Sequence, residues 1–298
     1  MARVPPRTKL AELADIATAQ WGMVTTAQAG SVDVSPQAVA RLASSGDLER
    51  LAHGVYRIAG SPPGPHDEVR AAWLGLDPRR TAGERIAGDT VEVVSHRSAA
   101  LLHDLGDVDS DILEFSAPTR RQTRRSDIHL HRRTVAGSDW TLVDGLPVTT
   151  PLRTISDLAA ARLDLGHLAG IVRDALVGHH LSVSSVAEVL DQHAKAYGVA
   201  IGGVTLVEVM LDEAGVPESA LDVAMYAGPA ARRSLVDRLV VDGAFGHVAR
   251  RNLEALEADG TLEAIAVAVL RLAADPTVQL ATRRSTTNAD STPEQRRD

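Results

Sequence analysis

Apolar residues recur at helical spacing at Leu10, Leu13, Ile16 and Ala17, which predicts a first helix from Lys9 to Gln20. Thr25-Thr26-Ala27-Gln28 matches a capping box and opens a short second helix that Gly30 is expected to stop. Ser35-Pro36 places a capping serine before a proline at the first helical position, so a third helix is expected from Pro36 to Ser45, ending at Gly46. Two β-prone runs, Leu48 to Leu51 and Val55 to Ile58, flank the Gly54 turn and predict a hairpin. Ser61-Pro62-Pro63-Gly64-Pro65 then reads as a linker.

Beyond it the pattern alternates. A helix is expected from His66 to Leu76, a strand from Val91 to Val94, and a helix from a Ser95 cap to about Leu105. Ile112 to Phe115 and Ile128 to Arg132 are strand-like, and Trp140 to Val143 with Leu146 to Val148 form a hairpin around Asp144-Gly145. From Thr150-Pro151 the periodicity turns helical: a helix to Ala161, then 165–177, 183–196, 206–214, and amphipathic stretches from Ala230 to Ala273. The end, 282–298, is polar and aperiodic and is expected to be disordered. The fold class that follows is α+β, with an N-terminal winged helix-turn-helix over 1–60, a linker at 61–65, and a larger mixed α/β and helical domain over 66–281.

Composition sharpens this picture without changing it. The chain of 298 residues is 44% hydrophobic but only 3% aromatic, so its core is built from Ala, Val and Leu. With no cysteine there are no disulfides, thiolate metal sites or cysteine nucleophiles, which fits a reducing compartment. No secretory signal is visible in MARVPPRTKL, and the longest apolar run, Ala264 to Leu270, falls short of the roughly 18 residues a membrane span needs. A cytoplasmic protein with no membrane partner is the expectation. The net charge of −8 opposes nucleic-acid binding only if it is spread evenly. Basic groups do gather locally: Arg120, Arg121, Arg124, Arg125, Arg132 and Arg133 surround a single acid, Asp127.

The order of three short helices and a hairpin is that of a winged helix, whose third helix enters the major groove while the hairpin lies along the backbone. Gln37, Arg41 and Ser44 share the helix face opposite Val39, Leu42 and Ala43. Arginine can bond guanine in a bidentate fashion and glutamine adenine, so that face suits base reading. Arg50, His53 and Arg57 flank Gly54 and are expected at phosphates. The arginines at 120–133 are a candidate second basic patch. His129 and His131 fall on one strand face with Arg133, but no third ligand is evident in the sequence, so no metal is expected.

At GMVTTAQA and then SPQAVARLASSGDLERLAHGVYRI the chain resembles the AbiEi family, the antitoxins of bacterial type IV toxin–antitoxin systems. The resemblance resumes at Gly145-Leu146-Pro147-Val148-Thr149-Thr150-Pro151-Leu152-Arg153-Thr154-Ile155-Ser156-Asp157-Leu158-Ala159, which is similar to the strand-into-helix element of that family's C-terminal domain. It implies a DNA-binding autorepressor that recognises inverted repeats in its own promoter. It also implies an antitoxin that counters a cognate toxin of nucleotidyltransferase type. No enzymatic activity and no cofactor are expected, since P-loop, dinucleotide-binding, zincin and nucleophile-elbow motifs are all absent. Asp107, Asp109 and Asp111 begin a calcium-loop pattern that fails at Ile112 and Pro118, where glycine and glutamate are required. Two other readings stay open: a ligand-responsive winged-helix repressor, and a nucleic-acid enzyme carried on a winged helix.

Overall fold

In the computed structural model, which describes residues 6–119, 125–179, 181–200 and 202–215, the capping signals of the first sixty residues are met side chain by side chain. Helix α1 spans Pro6–Thr18 and α2 spans Thr26–Ser31. Thr25 caps α2: its hydroxyl accepts from the Gln28 amide while the Gln28 side chain accepts from the Thr25 amide. Gly30 lies inside α2 instead of ending it, and Val32 forms the C-cap. Helix α3 spans Pro36–Ser44 with Ser35 as N-cap and Pro36 at its start, as the sequence predicts.

Strands β2 (Leu48–Ala52) and β3 (Val55–Ile58) form the expected hairpin, with a register shift between Arg50 and Ala52. A strand the hydrophobic pattern does not announce, β1 (Met23–Thr25), pairs antiparallel with β3 and closes a three-stranded sheet of order β1-β3-β2. Leu13, Ala17, Val24, Ala29, Val34, Val39 and Leu48 form one small core here. Gln20 and Gln28 bond each other within it, 2.7 Å from Gln20 Nε2 to Gln28 Oε1, so neither buried amide is orphaned.

The chain continues through α4 (Asp67–Leu76), a short α5 (Ala82–Ile86) absent from the sequence reading, β4 (Val93–Val94), α6 (His96–Leu102), β5 (Leu113–Ala117), β6 (Ile128–Arg132), β7 (Trp140–Val143) and β8 (Leu146–Thr149). The five strands make a mixed sheet of order β6-β5-β4-β8-β7. β5 runs parallel to β6 and β4 parallel to β8, while β4–β5 and β7–β8 are antiparallel. Asp144 and Gly145 both take positive φ, 49° and 81°, which is what a two-residue turn between right-twisted strands needs.

Met23 and Val55 of the first sheet join Val69, Trp73, Leu74, Val94, Phe115, Leu146 and Val148 in a second, larger core. Arg85 is fully buried there, pairs with Glu92 at 2.7 Å, donates to the Trp73 carbonyl and lies 3.5 Å over the Trp73 ring. The described residues within 1–104 and 108–154 accordingly gather into one compact unit. Ser61–Pro65, expected to be a linker between domains, falls inside that unit, and the Gly64 amide is held by Asp67 at 2.8 Å.

The second unit takes 105–107 and the described residues from Ile155 onward. Helix α7 (Pro151–Ala160) leads into it, followed by α8 (Leu165–Gly178), α9 (Val183–Leu190), a 3₁₀ segment over Asp191–Tyr197, and α10 (Gly202–Glu213). The helix expected over 183–196 thus tightens to 3₁₀ at Asp191, whose carboxylate accepts from the Gly203 amide at 2.9 Å. A Cβ at Gly203 would stand 1.8 Å from the Ala187 carbonyl oxygen, so α10 approaches α9 as only glycine permits. The amphipathic stretches expected from Ala230 to Ala273 and the tail at 282–298 lie outside the described residues. Among the described residues, no single helix is long and apolar enough to cross a membrane.

Candidate nucleic-acid interface

Helix α3 is fixed at three points. The Ser35 hydroxyl accepts from the Ala38 amide at 3.2 Å, Val39 is 2% exposed in the small core, and Leu42 and Ala43 pack against that core from either side. This anchoring leaves Gln37, Ala40, Arg41 and Ser44 exposed together. Among the described residues no hydrogen bond or ion pair engages the Gln37 or Arg41 side chain. Ser44 differs: its hydroxyl donates to the Ala40 carbonyl one turn back at 2.9 Å.

The hairpin turn is tied down from beneath, because the Gly54 carbonyl accepts from the Thr26 amide at the start of α2. Gly54 itself has φ of 73°, which suits glycine. Arg50 and His53 are both exposed on this turn, with Arg50 Nη2 3.3 Å from His53 Nδ1.

Arg57 does not join them. It is 8% exposed, and its guanidinium is shared between the Glu49 carboxylate and the Asp67 carboxylate, each at 2.5 Å. The expectation of a phosphate contact at Arg57 is therefore corrected: the alternation of β3 turns Val55 and Arg57 to the same buried side. Asp67 stands in the first turn of α4, so Arg57 fastens the hairpin to the helix beyond the Ser61–Pro65 segment.

The second basic patch is only partly described. Arg120, Arg121 and Arg124 lie outside the described residues. Arg125 is bound to the Asp127 carboxylate, whose hydrogen bond raises the guanidinium pKa and lowers that of Asp127. Arg132 and Arg133 are exposed at the end of β6, where the Arg133 amide donates to Ala117.

Residues 11–59 match the family model described as a transcriptional regulator, AbiEi antitoxin. The match runs from within α1 to just past β3 and so takes in the helices, the capping box and the hairpin described above. The match falls on the residues that carry the sequence resemblance. No curated protein matches the chain.

A second cluster lies on the face of the five-stranded sheet turned away from the larger core. Leu113 and Phe115 point into that core, so Glu114 and Ser116 point out on the opposite face, as do His129 and His131 on the neighbouring β6. Its members come from two strands, and the parallel pairing of β5 with β6 brings them together. Sequence spacing showed the two histidines of β6 but not that Glu114 would lie beside them.

Proposed function

We propose that this protein is a soluble, cytoplasmic transcriptional autorepressor whose first sixty residues form a winged helix-turn-helix, with α3 as the recognition helix and the β2–β3 hairpin as the wing. The observation that carries this reading is the exposed, uncommitted pair Gln37 and Arg41 on a helix locked from behind by Val39 and capped by Ser35. A polar face held this rigidly suits base edges in the major groove, where an arginine bidentate to guanine contributes about 1–3 kcal/mol of discrimination. Arg50 and His53, exposed on the turn, are placed for phosphates, which position a protein without reading sequence.

The match of residues 11–59 to the AbiEi antitoxin regulators supports a second half to this function: opposing a cognate toxin of nucleotidyltransferase type. Two protomers meeting at an inverted repeat, with half-sites about one DNA turn or 10 base pairs apart, would give the protein its operator. No catalytic step is part of this reading.

Footprinting on the DNA upstream of the protein's own gene tests the regulatory half. The expected result is protection of two half-sites in inverted orientation. Protection of arbitrary DNA to the same extent would refute sequence-specific repression. Co-expression with the adjacent gene product tests the antitoxin half, with rescue of growth as the expected result and unrelieved toxicity as the refuting one.

A further inference from the structure

Three side chains from three elements converge on the outer face of the five-stranded sheet. His96 is the first residue of α6, directly after β4; Glu114 is on β5; His131 is on β6. One ligand-type atom from each lies within 4.8 Å of the other two. His131 Nε2 is 2.9 Å from Glu114 Oε1, and the His96 and His131 rings stack with centroids 3.6 Å apart.

Two of the three side chains, His96 and Glu114, are also held by partners outside the cluster. His96 Nδ1 is bonded to the Ser95 hydroxyl at 3.0 Å, and Ser116 bonds that hydroxyl in turn. The Arg97 amide donates to Glu114 Oε2 at 2.9 Å, which presents Oε1 as a one-oxygen ligand. Such outer partners set tautomer, orientation and basicity in metal sites.

The backbone adds an independent sign. His96 holds φ of 53°, a left-handed conformation that side chains rarely adopt and that persists where the surroundings over-determine it. This same residue is 6% exposed, while the Glu114 and His131 side chains keep 16% and 25% of their surface. The site is thus closed on the His96 side and open to water on the other.

We infer that His96, Glu114 and His131 bind one divalent transition-metal ion, with zinc the best fit. Two imidazoles and one carboxylate are a donor set for zinc and its first-row neighbours, with water completing the coordination, whereas calcium and magnesium call for all-oxygen ligands. Placing both ring nitrogens on one ion turns His131 out of the stack, a movement its open side allows. This site stands apart from α3 and does not depend on the DNA-binding reading.

The test uses the untagged full chain, freed of metal, titrated with Zn²⁺ and separately with Co²⁺, whose visible spectrum reports its ligands. The wild type is expected to take up a single ion that gives the spectrum of a nitrogen–oxygen site. His131→Ala and the isosteric Glu114→Gln, each shown to be folded by circular dichroism, are expected to lose that uptake. Ser95→Ala should weaken it by roughly 10- to 100-fold, the scale of removing a partner behind a ligand. His167→Ala, far along the chain on α8, should leave it unchanged. No saturable uptake by the folded wild type, or uptake unaltered in both His131→Ala and Glu114→Gln, overturns the inference.

Discussion

Arg41 and Arg57 are both arginines of the segment that matches the AbiEi regulators, yet the structure gives them opposite work. Arg41 is exposed on α3, and Arg57 sits between two carboxylates at 8% exposure. Removing Arg57 leaves Asp67, itself largely buried, with the longer Arg70 contact at 3.4 Å in place of its closest cation. Arg57→Ala is therefore expected to cost about 3 kcal/mol of stability, the scale for breaking a buried ion pair by removing one partner. Chemical denaturation measures this, and a change within a few tenths of a kcal/mol would show the pair to be inert. The period of two in β3 puts Val55 and Arg57 on one side, yet the place of Arg57 beside the Gly54 turn suggests a phosphate contact when the sequence is read alone. What the sequence did not show was which acids would meet Arg57 there, because Asp67 lies beyond a Pro- and Gly-rich stretch that reads as a spacer. Glu114 was hidden for a related reason: its partners His96 and His131 are neighbours only across the sheet.

At the scale of elements, local signals were read well where a side chain satisfies a nearby backbone group. The Thr25–Gln28 box, the Ser35-Pro36 start of α3 and the Asp144-Gly145 turn are all present. Elements defined by distant partners were not: β1 exists because β3 lies beside it, and three residues carry no periodicity of their own. Ser95 was read as a cap, but its side chain makes no capping bond and turns to His96 and Ser116 instead. Helix α8 supplies a pH prediction. Its N-cap, Asp164, has a pKa lowered from 3.8, chiefly by hydrogen bonds from the Gly166 and His167 amides. A lowered folded-state pKa means that the cap's contribution is complete above the unfolded value near 3.8 and disappears as pH falls through the lower folded value. Asp164→Asn retains a capping oxygen without the titration, so its stability curve should run flatter than the wild type's below about pH 4. Parallel curves in that range would remove Asp164 from the account. The buried Arg85–Glu92 pair is the corresponding test of the larger core: Glu92→Ala is expected to destabilise by about 3–5 kcal/mol, read as a shift in denaturation midpoint.

For the whole molecule, the net charge of −8 and the reading of α3 as a DNA-binding helix are compatible because charge acts over the Debye length, about 8 Å at physiological salt. The larger lesson concerns partition. The proline-rich stretch at 61–65 suggested a boundary, but Met23 and Val55 from before it share a core with Trp73 and Phe115 from after it. The proposed regulatory and antitoxin roles are therefore best separated by substitutions on the α3 surface in the full chain, and not by truncation at residue 66. The measurement that tests the central claim most directly is fluorescence-anisotropy titration of wild type, Arg41→Ala and Arg50→Ala. Each is titrated against the protein's own upstream DNA and a scrambled duplex, over a series of salt concentrations. Arg41→Ala should lose about 1–3 kcal/mol on the upstream DNA and little on the scrambled duplex; Arg50→Ala should weaken both alike and lower the salt slope by about 1. Equal wild-type affinity for the two duplexes, or discrimination unchanged in Arg41→Ala, would contradict α3 as the reading helix.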